Sequence, residues 1–226
     1  MKMSCSYKTM VIAGMALGLS AGAMAADELE KIPLELPRPM FKGTPTPVVM
    51  PNLRKPRGGA RPAFMAPKGT VNLAKGKKVS ASDELPVIGE LEMITDGDKS
   101  GADGSFVELG PLKQWVQVDL AEKATLYAIV VWHFHSQARV YHDVVVQVAD
   151  DQDFIENVRT LFNNDIDNTL GLGVGKDTCY VETNEGELVD AKGETARFVR
   201  LYSNGNTTDE MNHYVEIEVY GQPIKK

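Results

Sequence analysis

Trp115-Val116-Gln117-Val118-Asp119-Leu120, followed shortly by the apolar run Leu126 to Phe134, decides the fold of this chain. The first stretch alternates apolar and polar residues, which is the period-two signature of a half-buried strand. Val116, Val118 and Leu120 face a core, and Trp115 stands apart from them. Leu126 to Phe134 is apolar at nearly every position, so it is expected to be a strand buried on both sides. Outward from this pair, Val107–Leu109, Val140–Val148, Arg159–Phe162, Thr178–Val181, Ala196–Tyr202 and His213–Tyr220 read as further short strands. Gly, Asp and Asn clusters separate them. Asp153–Val158 is expected to form one helical turn. Antiparallel strands at this spacing predict an all-β sandwich or jelly roll.

Before Asn72 the chain has a different character. Lys2 and Lys8 precede an apolar run from Met10 to Leu19, and Ala23-Met24-Ala25 supplies a small-x-small cleavage pattern. This is the layout of a secretory signal peptide, residues 1–25, cut between Ala25 and Ala26. A retained N-terminal anchor is the alternative. The expected location is secreted or periplasmic, with no membrane insertion after cleavage. Cys5 would leave with the leader, so Cys179, read as a small buried strand residue, would have no internal disulfide partner.

Residues 26–70 hold nine prolines from Pro33 to Pro67. Each removes an N–H donor and fixes φ, so an extended arm is expected, with no helix and no central strand. Leu34, Leu36, Met40, Phe41, Val48, Val49, Met50, Phe64 and Met65 are too many apolar residues for a pure spacer, so the arm should lie along a surface. That surface belongs either to its own domain or to a partner. The 226-residue chain has a net charge of −7, yet residues 29–68 carry eight Lys and Arg against Glu30 and Glu35. The acidic remainder lacks the basic footprint that nucleic acid or an anionic membrane requires. The basic arm could meet a polyanion or the acidic domain behind it.

Five segments in order resemble the discoidin family, also called coagulation factor type C domains. They are Asn72 to Ser82, Ile94-Thr95-Asp96-Gly97-Asp98, Trp115 to Leu120, Val146 to Asp151, and the closing pair Arg197 to Tyr202 and Val215 to Gly221. The resemblance implies a galactose-binding-like jelly-roll β-sandwich over residues 71–223, similar to the family 32 carbohydrate-binding modules. It implies a structural calcium held by Asp96 and Glu216, with carbonyls from around Met93, Asp98 and Val215. The hydroxyl ligand would be Ser100 or Ser105, or absent. A Gly-containing loop that converges oxygens suits a hard cation; an Asp-Gly turn beside a solvated Glu is the alternative. The resemblance also implies a ligand pocket at the hairpin after the long strand and the loop before the last one. By position this nominates His135, Arg139, Asn206 and His213, with Trp132 or Tyr141 as a stacking face.

The histidines allow another reading. His133 and His135 share a strand face by period two, with His142 nearby, a set that could take zinc or copper. A strand end with one polar face fits the same spacing. Asn163 to Asn168 is dense in Asp and Asn but lacks the EF-hand glycine and terminal glutamate, and reads as an exposed loop. The Gly171–Gly175 run lacks the strand-to-helix context of a nucleotide loop. No catalytic motif is recognisable. The expectation is an exported, non-catalytic module binding a glycan or cell-surface polysaccharide. The alternative is an adaptor that docks on an extracytoplasmic protein partner through its arm.

Overall fold

The computed structural model describes Met1, residues 28–44 and residues 47–224. The leader, its cleavage point and Cys5 lie outside the described residues. Within them the chain is an antiparallel β-sandwich of strands and loops. Two short strands, β1 (Leu29–Lys31) and β2 (Met65–Pro67), pair within the arm. The sandwich strands are β3 (Val71–Asn72), β4 (Lys78–Ala81), β5 (Val107–Leu109), β6 (Gln114–His133), β7 (Val145–Ala149), β8 (Arg159–Asn163), β9 (Glu187–Ser203) and β10 (Asn212–Pro223). A 3-10 turn covers Leu91–Thr95.

The two apolar stretches that decide the fold are one strand, not two. β6 bends where Ala121 takes a φ of 71°, and the Asp119 carboxylate accepts the Ala121 N–H at 2.8 Å. Its first part pairs with β4 and with the end of β9. Its second part lies between β10 and the start of β9. β6 and β9 therefore serve both layers: β4-β6-β9-β7-β8 in one, and β3-β10-β6-β9 with β5 in the other. Val116, Val118 and Leu120 from the first layer meet Leu126, Ile129, Val131, Ile217 and Val219 from the second in a single core.

Both outer faces are also covered. Ala128, Val130, Trp132, Val215 and Tyr220 point out of the second layer, and the arm closes over them with Ile32, Leu34, Phe64 and Ala66. That cover is why Leu126 to Phe134 is apolar on both faces. Trp115, Val145 and Tyr202 point out of the first layer, and Leu170 and Leu172 cap them. The surface under the arm is thus its own sandwich. Charge supports the seat: Arg54 holds both oxygens of Glu187 at 2.8 and 2.7 Å, and Arg57 pairs with Glu185. Gly186, with a φ of 61°, makes the approach possible, because a Cβ there would stand 2.7 Å from the Val131 carbonyl oxygen.

Three local expectations are corrected. Asp153–Val158 is not a helical turn: the Asp151 carboxylate accepts the N–H groups of Asp153, Ile155 and Glu156, and Phe154 and Asn157 have positive φ. Val140 to Val144 is loop, broken at Asp143 with a φ of 53°. Thr178–Val181 does not join the sandwich ladder; Cys179, which is buried, bridges Leu53 of the arm. No helix among the described residues is long and apolar enough to cross a membrane.

Candidate functional site

The loops from β6 to β7 and from β9 to β10 meet at one end of the sandwich. Their main chains pair through Tyr141 and Asn206, and His142 exchanges hydrogen bonds with Asn204 and Gly205. The residues nominated from the sequence lie beneath these loops. Trp132 is fully buried under the arm, its indole N–H donating to the Asn184 carbonyl at 3.0 Å, so it is no open stacking face. Tyr141 is 1% exposed, and its ring stacks on His133 at 4.3 Å. His135 is fully buried, its Nε2 3.0 Å from the Lys99 carbonyl oxygen. Arg139 lies over Phe134 and reaches Asp209 at 3.4 Å. Asn206 spends its amide on Asp209 and on the Met211 carbonyl. His213 sits between Glu108 and the Tyr141 hydroxyl, at 2.9 and 3.0 Å. Five of these six form the frame beneath the loop end, and Asn206 alone also borders its open face.

The open face is a groove of about 860 Å³. Ser136, Gln137, Ala138 and His142 form one wall, Asn206, Thr207 and Thr208 another, and Phe41 with residues 47–50 of the arm the third. Of its loop residues, the sequence nominated only Asn206 for the ligand. The signal available was the short polar side chains that follow the bulky ones in each loop.

His133 lies 2.6 Å from Glu182, with both side chains fully buried. Its partner stands 49 positions away, and His135 turns to the Lys99 carbonyl. Among the described residues the only group of three or more acidic, His or Cys ligand atoms within 4.8 Å is Asp143, Asp165 and Asp167. His133, His135 and His142 therefore do not form the set that zinc or copper would need. Asp165 is also buried, with its oxygens accepting the Thr169 and Leu170 N–H groups at 2.9 and 2.8 Å. Asn163 and Asn164 are buried with it, so the start of that acidic stretch is an anchored turn, not an exposed loop.

Glu108, His213 and Tyr141 form an acid–imidazole–hydroxyl row. Burial pushes the Tyr141 phenol well above its ordinary pKa and holds the His213 imidazole below its own.

Glu216 is a different case. It is fully buried, one oxygen accepts the Gly97 N–H at 3.2 Å, and the other has no hydrogen-bond partner. Burial, with added repulsion from Glu218 and Asp96, pushes its carboxyl up to about 9. A buried carboxylate oxygen without a partner, facing the Asp96-Gly97 loop, fits a cation. Asp96 Oδ1 accepts the Asp98 N–H at 2.7 Å, and Asp98 accepts that of Ser100. Ser100 and Ser105 hydrogen-bond to Asp98, which holds its carboxylate below the usual range. Lys99 pairs instead with Glu218 at 2.8 Å.

No protein-family model and no curated protein matches the chain. Solved structures do. A family 89 glycoside hydrolase from Clostridium perfringens, solved with its substrate GlcNAc-alpha-1,4-galactose, aligns at a TM-score of 0.51 and 19% identity, over 68% of this chain and 15% of that one. The CBM32 of AlyQ, solved with 4,5-unsaturated mannuronic acid, aligns at 0.47 and 14%, over 63% and 92%. Chitosan-binding module 1 of a chitosanase/glucanase from Paenibacillus sp. IK-5 aligns at 0.46 and 20%, over 66% and 98%. At these identities the likeness is one of fold alone: the chain carries a β-sandwich that the glycoside hydrolase also contains, over 15% of its length.

Proposed function

We propose that the protein is an exported, non-catalytic module that binds a glycan in the groove between the β6–β7 and β9–β10 loops. The observation that carries this reading is the groove itself. Its walls present amide, hydroxyl and imidazole groups from Gln137, Thr207, Thr208 and His142, and the rigid frame of buried His135, Arg139 and His213 fixes them in place. Preorganised polar groups on a rigid scaffold suit a hydroxyl-rich ligand, because little ordering entropy is spent on binding. Export rests on the leader sequence.

Calcium belongs to the same reading. Asp96 and Glu216, with carbonyls of Met93, Asp98 and Val215, would hold the ion, which would neutralise the buried carboxylate and tie the Asp96 loop to β10. A glycan array of plant, microbial and host saccharides tests the function. The wild-type protein is expected to bind at least one class, and His142→Ala with Gln137→Ala is expected to weaken that signal at least tenfold. A silent array overturns the proposal.

A further inference from the structure

The arm encloses a second space. Residues 39–44 and 54–61 cross the segment Tyr180–Leu188 and bound a cavity of about 810 Å³, which shares only Phe41 with the groove. This volume lies in the range of small-molecule sites, roughly 300–1,000 Å³.

The charges in its wall do not balance. Arg54 takes Glu187, and Arg57 takes Glu185. Glu182, the third acid of the wall, turns inward to His133. Arg61 is left with main-chain oxygens: its guanidinium donates to the carbonyls of Gly186 and Glu185 at 2.8 and 2.7 Å. Among the described residues no carboxylate lies within ion-pair distance of the Arg61 guanidinium or of the Lys55 ammonium. Two uncompensated cations thus line a cavity in a protein whose net charge is −7. A guanidinium has five N–H donors in a planar fork, and Arg61 uses only two of them within the chain.

Other wall groups suit a hydroxylated ring. Met40, Phe41 and Pro56 supply an apolar side. Tyr180, more than nine-tenths buried, keeps its hydroxyl without a hydrogen-bond partner. Burial also holds Arg61 below its ordinary pKa, against the attraction of Glu185 and Glu187.

We propose that this cavity is a second ligand site, which takes the carboxylate or sulfate of an acidic saccharide on Arg61 and Lys55. The anionic group follows from the unpaired cations alone. The sugar rests on the reading of the chain as a glycan-binding module.

Calorimetric titration of the leader-free protein tests it with four probes: trigalacturonate, a sulfated galacto-oligosaccharide, a neutral galacto-oligosaccharide and a hexaglutamate peptide. Trigalacturonate, the sulfated sugar or both are expected to bind. Arg61→Gln should weaken that binding by about tenfold or more, the size of one lost charge-assisted hydrogen bond. Lys55→Gln should weaken it several-fold. Among the described residues Lys55 makes no polar contact, so its variant is expected to fold normally and keeps the test decisive should Arg61→Gln loosen the arm. The groove variant His142→Ala/Gln137→Ala should bind acidic sugars like the wild type. Acidic sugars that fail to bind, or bind both arm variants unchanged, overturn the second site, as does hexaglutamate binding as tightly as the sugars. Neutral-sugar binding lost only in the groove variant would leave the groove reading standing by itself.

Discussion

Glu216 is the buried side chain whose ionisation weighs most on stability. A carboxyl pushed up to about 9 from an ordinary 4.5 holds its proton in the folded state where the unfolded chain releases it. The metal-free protein therefore loses stability as pH rises from about 4.5 to about 9. A bound divalent cation removes that penalty by pairing with the ionised form. Glu216→Gln keeps the acceptor for Gly97 and removes the charge. At pH 8 without calcium, the variant is expected to melt several degrees above the wild type. Added calcium should raise the wild-type midpoint and leave the variant unmoved. Equal calcium responses in a melting experiment would remove Glu216 from any cation site. At this scale the sequence was only partly legible. The Asp96 loop and Glu216 could be paired through the resemblance, but the partners of the histidines could not. Glu182 and Glu108 reach His133 and His213 from 49 and 105 positions away, and no local pattern marks a residue for a buried pairing at such separation.

Among the elements, alternation was the reliable guide. Val116, Val118 and Leu120 face the core as their spacing requires. The two-sided burial of Leu126 to Phe134 was equally plain. What covers its second face was not, since a proline-rich arm carries no periodicity that names its partner. The missed elements share a cause: a side chain or a left-handed residue replaced the regular backbone pattern, as Asp151 does for the turn after β7 and Asp143 does before it. The arm's role is measurable. Ile32 is 2% exposed in the cluster with Trp132 and Tyr220. Ile32→Ala should therefore lower unfolding stability by about 2–5 kcal/mol. Urea unfolding followed by tryptophan fluorescence reads this directly, and an unchanged midpoint would mean that the arm is not part of the cooperative fold.

Among the described residues, both faces of the sandwich are covered, and the open spaces are the loop-end groove and the cavity under the arm. His133, His135, His213 and Arg139, which seemed most chemical in the sequence, are the frame, and His142 with the polar side chains of Gln137, Thr207 and Thr208 lines the groove. Burial explains why type alone misled: large polar rings fill space under loops, and a sequence does not say which end of a hairpin is wet. The groove between the two loops is the proposed seat of the glycan. Amide chemical-shift mapping tests it most directly, with the isotope-labelled protein titrated with a saccharide bound on the array. The account predicts that the amides of residues 136–142 and 206–208 shift first and saturate together, while those of β8 stay still. Saturating shifts confined to other surfaces, with both loops unmoved, would contradict it.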